Sequence, residues 1–159
     1  MEMLLKLLEK NGRYTIAQLA SMLGCDEQTV ANAIKEYERE GVICGYKAIV
    51  NWDSFDSEHV TALIELKVTP KRELGFDDIA ERILEFDEVE SLFLMSGSFD
   101  IAVIVTGRTF KEIAMFVAKR LSTLDSVLST ATHFVLRRYK DSGVFIGCKQ
   151  GDERGSLTL

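Results

Sequence analysis

Three polar side chains at the start of one predicted helix have the donors and acceptors that reading of DNA bases requires. Gln28, Thr29 and Asn32 follow Asp26, which stands where the N-cap of a helix belongs. Amide side chains pair with the major-groove edge of adenine, and a hydroxyl group can bond to several bases. The sequence therefore predicts that these three residues contact base edges.

Basic side chains that could contact phosphates are sparse around this helix. Residues 1–51 contain six lysines and arginines against seven aspartates and glutamates, a net charge of −1 in a chain of net charge −6. Because phosphate neutralisation supplies much of the affinity for DNA, one protomer should bind weakly and depend on multivalent assembly. Alternatively, Lys35 and Arg39 form ion pairs with the neighbouring glutamates on the helix surface. The predicted phosphate contacts are Arg13, Lys35, Arg39 and Lys47.

A second set of candidate residues is the tetrad Gly97-Ser98-Phe99-Asp100. Its glycine permits close approach of the backbone, whose N–H groups can bind a carboxylate. Ser98 offers a hydroxyl group and Asp100 offers a carboxylate that can bind an ammonium group. The tetrad is therefore a candidate site for a free amino acid. The alternative is an ordinary hairpin turn in which Asp100 caps its own backbone.

Other kinds of site find little support in the sequence. Cys25, Cys44 and Cys148 form no C-x-x-C pair and no cluster with histidine at metal-ligand spacing, so we expect free thiols and no metal site. No P-loop or nucleophile elbow is present, so no cofactor and no enzymatic activity is predicted. The N-terminus lacks a secretory signal, and the longest apolar run, residues 101–105, cannot span a bilayer. We therefore expect a cytoplasmic protein without a membrane partner.

A helix-turn-helix would position the first set of residues. The tripeptide Leu23-Gly24-Cys25 has a glycine where a tight turn favours a left-handed residue, and Thr15 and Asp26 are the expected caps of the flanking helices. Gly41 should end the second of these helices, and two short apolar pieces around Gly45 predict a β-hairpin wing. The predicted helices begin at residues 3, 15 and 27 and end near residues 11, 22 and 40, within a winged helix-turn-helix domain of residues 1–51 that a linker of residues 52–59 follows.

The second half of the chain predicts an α+β domain of residues 60–140, in which both helices lie on one face of an antiparallel sheet. Apolar residues alternate over residues 60–69, and Pro70 should end this strand because proline removes a ladder donor. Helical and strand periodicities then alternate in the order βαββαβ of a ferredoxin-like fold. The predicted strands are residues 60–69, 89–95, 101–106 and 127–139, and the helices carry apolar stripes over residues 76–84 and 110–121. The tail, residues 141–159, is expected to add one strand at residues 144–148 and then to fray.

The predicted strands are apolar on both faces, although the helices can cover only one. Ile101, Val103 and Val105 alternate with Ala102 and Ile104, so the face away from the helices should be apolar as well. Nothing else in the chain is available to cover this face. A second copy of the chain is the simplest cover, so the sequence predicts a homodimer through the two sheets.

Four runs of residues, in this order and at this spacing, resemble the Lrp/AsnC (feast/famine) transcriptional regulators. They are LLEKNGRYTIAQLASMLGC, EREGVICGYKAIVN, SGSFDIAVIV and STATHFVLRRYK, and the resemblance covers about residues 3–140. It implies a sequence-specific DNA-binding regulator with an N-terminal winged helix-turn-helix and a βαββαβ domain that binds an amino-acid effector. It also implies dimers, often assembled into octamers, that bind double-stranded promoter DNA under the control of this effector.

The resemblance also has consequences for the two candidate sites. Members of the family usually have a serine at the cap and three basic residues along the recognition helix, whereas this chain has Asp26 at the cap and keeps only Lys35 of that basic set. In the family, the loop that matches residues 97–100 contributes to an effector site at a subunit interface. Thr130 and Thr132, on the last predicted strand, are at positions that can face this loop and are included in the implied effector site.

Two other functions remain open at this point. The acidic recognition helix is also compatible with an effector-binding partner protein that has weak or no DNA binding of its own. A second group of relatives, decarboxylases of sirohaem-type tetrapyrroles, typically has arginines near the wing and a histidine-rich segment in the second domain. This chain has Gly45-Tyr46 at the wing and only His59 and His133 in total, which disfavours the enzyme.

Overall fold

The computed structural model describes residues 2–55, 58–69 and 75–146. The chain divides into two compact units, Met1–Ile49 and Val50–Leu159. No helix in the described ranges is long and apolar enough to cross a membrane. Two of the residues discussed above, Pro70 and Cys148, lie outside the described residues.

Three short helices form the first unit, as the sequence predicts. They are α1 (Glu2–Lys10), α2 (Ile16–Leu23) and α3 (Glu27–Arg39). The core of the unit contains one or two buried side chains from each helix, namely Leu4, Leu19, Ala20 and Val30. Partly buried apolar side chains that include Ile34 and Tyr37 pack around this core, so α3 has one apolar face toward α1 and α2 and one polar face toward solvent.

The prediction of a β-hairpin wing after α3 is wrong. Residues 44–50 form no strand, and Gly45 does not adopt the positive φ that a tight hairpin turn requires. The start of the segment is bonded to α3 instead: the N–H of Ile43 donates to the carbonyl of Tyr37 at 3.0 Å, and the hydroxyl of Tyr46 donates to Glu38 Oε1 at 3.0 Å. Partial burial and this bond to Glu38 raise the pKa of Tyr46.

The second unit has the predicted βαββαβ order. Its elements are β1 (Val60–Val68), α4 (Asp77–Leu84), β2 (Val89–Leu94), β3 (Ile101–Gly107), α5 (Phe110–Phe116) and β4 (Val127–Phe134). All neighbouring strands are antiparallel, and the order across the sheet is β2-β3-β1-β4. A π-helical turn, Val117–Leu121, continues α5 and was not predicted.

The core of the second unit lies between the sheet and its two helices. Ile64 of β1 and its partner Val103 of β3 are fully buried, and so are Ile83 of α4 and Leu121 after α5. Side chains alternate between the faces of a strand, so Leu63 and its partner Ile104 lie on the face away from the helices. Both helices therefore lie on one face of the sheet, as predicted.

The face of the sheet away from the helices, which we call the open face, is more polar than predicted. It carries the apolar residues Leu63, Phe93 and Ile104, but also polar ones that include Lys67, Thr106 and Ser129. Phe93 lies there opposite Ala102 and is 52% exposed. Glu65 and His133 lie on the same face of adjacent strands, with Glu65 Oε1 3.3 Å from His133 Nε2. At one end of the open face Thr61 is buried, and its Oγ1 lies 3.4 Å from Arg138 Nη2.

Both ends of the second unit differ from the prediction in detail. Within the predicted linker, Trp52–Ser54 form a short 3-10 helix, and the Trp52 ring stacks on His59 at a centroid distance of 5.2 Å. The last strand of the sheet ends at Phe134 rather than near residue 139. The strand predicted for residues 144–148 is present within the described residues as β6 (Val144–Phe145). It pairs with β5 (Lys140–Asp141), which was not predicted as a separate strand. Ser142 and Gly143 both have positive φ between these strands, as a tight hairpin turn requires.

Candidate nucleic-acid interface and effector loop

Short-range hydrogen bonds hold α2 and the turn that follows it in place. The N–H of Gln18 donates to Thr15 Oγ1 at 3.2 Å, and the N–H of Thr15 donates back to Gln18 Oε1 at 2.9 Å, a capping box. At the other end, Gly24 has a φ of 66° and its N–H donates to the carbonyl of Ala20. A glycine tolerates this left-handed conformation without steric cost, so the chain turns sharply into α3.

Asp26 caps α3, as predicted, and engages Thr29 twice. Asp26 Oδ1 accepts the N–H of Thr29 at 2.8 Å, and Asp26 Oδ2 accepts its hydroxyl at 2.6 Å. These bonds, the hydroxyl first, favour the ionised carboxylate and lower the pKa of Asp26. Thr29 is therefore a capping residue in this structure, and only the lone pairs of its oxygen remain for the predicted base contact.

Gln28 and Asn32 form a polar pair on the exposed face of α3. Gln28 Nε2 donates to Asn32 Oδ1 at 2.8 Å, one helical turn away. The pair leaves the Gln28 carbonyl as an acceptor and the Asn32 amide as a donor. The major-groove edge of adenine presents one donor, N6–H, and one acceptor, N7, so the chemistry of the pair complements that edge.

The predicted phosphate contacts differ in their surroundings. The guanidinium of Arg39 forms an ion pair with Glu36, so the ion-pair alternative holds for this residue. Lys35 is exposed and has no carboxylate partner among the described residues. Arg13 is also exposed, and its backbone N–H donates to Asn11 Oδ1 at 3.0 Å. Lys47, in the segment after α3, is exposed as well.

In the second unit, Asp100 fastens the predicted effector loop to β1. Its Oδ2 accepts the N–H of Val68 at 2.9 Å, and its own N–H donates to the carbonyl of Leu66 at 2.9 Å. Asp100 thus bonds to another strand rather than capping its own turn, and its Oδ1 remains available. Ser98 is exposed, and Gly97 has a φ of 153°, which side chains rarely adopt.

The two predicted threonines lie on β4, across β1 from this loop. Thr130 is paired with Leu66 and Thr132 with Ile64, so both point to the helix-covered face. Thr130 Oγ1 is 3.5 Å from Ser122 Oγ. Leu66 is also paired with Ile101, so β1 separates Thr130 from the loop by about two strand spacings, roughly 10 Å. The loop and the threonines flank the same end of β1 without meeting.

Sequence reasoning missed a small cavity near the start of the second unit. Its volume is about 40 Å³, and Asn51, Trp52, His59 and Thr61 are among its lining residues. Asn51 Oδ1 is buried there without a hydrogen-bond partner. A polar residue next to a tryptophan at Asn51-Trp52 was the signal in the sequence for this cavity. The other lining residues come from distant positions, so the sequence alone did not indicate it. No group of three His, Cys, Asp or Glu side chains in the described residues could hold a metal ion.

Comparisons with known proteins agree with this architecture. Residues 2–43 match the family described as winged helix-turn-helix DNA-binding, and residues 61–145 match the Lrp/AsnC ligand binding domain. The chain is 45% identical over 152 residues to the HTH-type transcriptional regulator YugG of Bacillus subtilis (strain 168), with 95% of this chain and 92% of YugG covered.

Two solved structures of amino-acid complexes share the fold. The feast or famine regulatory protein from M. tuberculosis, complexed with L-methionine, has a TM-score of 0.73 at 23% identity and covers 91% of this chain and 95% of its own. The transcriptional regulator NMB0573 from Neisseria meningitidis, in complex with L-Met, has a TM-score of 0.70 at 22% identity and covers 87% and 88%.

Proposed function

Because the chain belongs to the Lrp/AsnC family of helix-turn-helix transcriptional regulators, we propose that it binds promoter DNA sequence-specifically and that a free amino acid modulates this binding. The modulation acts on DNA binding directly or on the assembly that supports it. The family and the named relative are transcriptional regulators and not enzymes, so the decarboxylase is set aside. As a regulator of this kind, the protein would work in the cytoplasm.

The observation that carries the proposal is the presentation of the Gln28–Asn32 pair. Thr15, Gly24 and Asp26 fix the two helices and their turn through local bonds, and the pair lies exposed near the start of α3. Its free acceptor and free donor suit adenine, so we assign base reading chiefly to Gln28 and Asn32. Thr29 contributes only as a hydrogen-bond acceptor, since its hydroxyl hydrogen is bonded to Asp26.

Affinity for DNA should come mainly from several protomers acting together. On the first unit, Lys35 and Arg13 are exposed, whereas Arg39 is neutralised by Glu36. So few cations per protomer give weak binding at physiological salt, and linking several recognition helices can raise the affinity 10²- to 10⁴-fold, an order-of-magnitude range. The proposed assembly is a homodimer through the open face, where Phe93 is exposed and Ile104 is half-buried, with association into octamers as a further step.

The proposed effector site is the loop of residues 97–100. The free Oδ1 of Asp100 and the hydroxyl of Ser98 suit an ammonium group, and backbone N–H groups near Gly97 suit a carboxylate. Thr130 lies across β1 from the loop, too far for one small ligand to contact both within a protomer. A site that uses both sets of residues would therefore combine the loop of one protomer with the threonines of a second. Two proteins of the same fold are complexes with L-methionine, which makes this amino acid the first to test.

A single set of binding measurements tests the proposal. Fluorescence anisotropy with a labelled duplex of the gene's own upstream region, at low salt, should detect binding that changes when amino acids are added. Binding without any response to amino acids would contradict the effector role. No binding under any condition would favour the alternative, an effector-binding partner without DNA binding, which the engagement of Thr29 and Arg39 within the protein supports.

A further inference from the structure

The highest local density of positive charge in the chain lies far from the recognition helix in the sequence. Arg137, Arg138 and Lys140 place three cations within four residues, although the whole chain has a net charge of −6. Tyr139 interrupts the run. We call residues 137–140 the basic segment.

Two of these three cations are presented toward solvent. The guanidinium of Arg137 lies 5.1 Å from the ring centre of Tyr139, and the ammonium of Lys140 lies 4.9 Å from that of Phe145. Both cations are exposed, and neither has a carboxylate partner among residues 2–55, 58–69 and 75–146. Contacts with aromatic faces reduce the freedom of long side chains without neutralising their charge.

The third cation, Arg138, has a structural role. Its Nη1 donates to Asp141 Oδ2 at 2.9 Å, and its Nη2 lies 3.4 Å from Thr61 Oγ1. These bonds attach the basic segment to β1 and to the β5–β6 hairpin. Arg138 therefore holds the segment, whereas Arg137 and Lys140 remain available to a ligand.

The basic segment lies at the end of the second unit where the chain arrives from the helix-turn-helix unit. Val50, the first residue of the second unit, lines the same small cavity as Arg137 and Arg138. This end of the unit is thus covalently next to the DNA-binding unit. On the helix-turn-helix unit, by contrast, Arg39 of α3 is already paired with Glu36.

We propose that Arg137 and Lys140 contact the phosphate backbone of DNA and form a second, sequence-independent DNA-binding surface on the ligand-binding unit. This inference rests on the proposed function, because it concerns the same DNA. A guanidinium and an ammonium that lack intramolecular carboxylate partners match phosphate oxygens in charge and hydrogen bonding. Such contacts would add affinity that the recognition helix lacks, and they would do so equally for all sequences.

The test compares two double variants with the same change in net charge. R137Q/K140Q removes the proposed contacts. K111Q/K119Q removes two exposed lysines of the helix layer that have no ion-pair partner among the described residues. Binding of the full-length proteins to the upstream duplex and to an unrelated duplex of equal length is measured by anisotropy from about 50 to 200 mM salt.

We expect R137Q/K140Q to bind both duplexes more weakly than the control does, by similar factors. The slope of log K against log salt should fall in magnitude by about 0.9 for each phosphate that is no longer neutralised, so by nearly 2 per bound protomer. If the wild-type protein binds DNA but the salt slope of R137Q/K140Q equals that of K111Q/K119Q, the inference is overturned and the proposed function is not. A changed sedimentation coefficient of R137Q/K140Q without DNA would also overturn it, since the segment would then join copies of the chain. Wild-type protein that binds neither duplex would overturn the proposed function as well.

Discussion

The carboxylate of Asp100 accepts the backbone N–H of Val68 at 2.9 Å, across the boundary between the candidate effector loop and β1, one of the two inner strands of the sheet. One carboxylate oxygen is therefore structural, and the other is free for a ligand. A substitution at this position consequently affects folding and binding together unless the two roles are separated.

Asparagine and alanine at position 100 separate these roles. Asp100→Asn retains an acceptor for Val68 and removes the charge, so it should weaken amino-acid binding about tenfold or more while changing the unfolding free energy by less than about 1 kcal/mol. Asp100→Ala should also lose about 1–3 kcal/mol of stability, because it leaves a partly buried N–H without a partner. Calorimetric titration with L-methionine and denaturant unfolding measure the two effects. Wild-type affinity in Asp100→Asn would refute the assignment of the ammonium site.

The Gln28–Asn32 pair should act as one unit in base reading. Gln28→Ala and Asn32→Ala should each cost about 1–3 kcal/mol of binding to the upstream duplex, and the double variant should cost little more than either single variant. The reason is that either truncation removes the donor–acceptor pair that matches adenine. Binding to an unrelated duplex serves as the control and should hardly change. Strictly additive losses would indicate two independent contacts instead.

Release of Arg39 should strengthen DNA binding. Glu36→Gln removes the ion-pair partner of Arg39 and one negative charge near the phosphates, so affinity should rise roughly fivefold and the salt dependence should steepen. Stability should change by no more than about 0.5 kcal/mol, because an exposed ion pair contributes little. Glu81→Gln, at an exposed position of α4, is the matched control for net charge. An equal gain in both variants would mean that only the net charge matters.

The cap of α3 should make the stability of this helix depend on pH. The pKa of Asp26 lies below its ordinary value of 3.8, so the ionised cap stabilises the fold above that value and loses its effect as the pH falls through the lowered pKa. Asp26→Ala should therefore speed amide hydrogen exchange in α3 at neutral pH and have much less effect in strong acid. Asp26→Ser, a neutral cap, should restore most of the protection without this pH dependence. Unchanged exchange in Asp26→Ala at neutral pH would show that the cap contributes nothing.

The open face of the sheet should be the dimer interface. Phe93→Glu places a charge among apolar side chains and should weaken self-association at least tenfold, by about 1.4 kcal/mol or more. Leu84→Glu, at a position of α4 that is 62% exposed, is the matched control and should leave association unchanged. Sedimentation equilibrium measures both variants. Because Phe93→Glu weakens dimerisation, it should also lower the affinity for DNA. A monomeric variant that still binds DNA like the wild type would contradict the multivalent mechanism.

Features that depend on near neighbours could be predicted from the sequence. Thr15, Gly24 and Asp26 act within four residues of their partners, so their residue types alone indicated the ends of α2 and the start of α3. The alternating strands and the helical stripes gave the βαββαβ order for the same reason. Local hydrogen bonding and periodicity are properties of a short window of sequence.

Features that depend on distant partners could not be predicted. The apolar segment around Gly45 has the composition of a hairpin, but α3 offers bonds to Ile43 and Tyr46 that residues 44–50 do not offer to one another. Likewise, the bond from Val68 to Asp100 joins residues 32 positions apart, and only the register of β1 and β3 brings them together. The hydroxyl of Thr29 is a different case: its partner Asp26 is only three residues away, but the residue types leave open whether the side chain turns toward Asp26 or toward a base.

The inner position of β1 has a consequence for the order in which a newly made chain folds. β1 needs β4 as a neighbour, and β4 ends at Phe134, whereas the helix-turn-helix unit ends at Ile49, 85 residues earlier. At roughly 5–20 residues per second, about 4–17 s of synthesis separate these two points. The helix-turn-helix unit can therefore form on the ribosome while the sheet of the second unit is still incomplete. Under the proposed function, a nascent chain could then bind DNA before it could bind an amino acid.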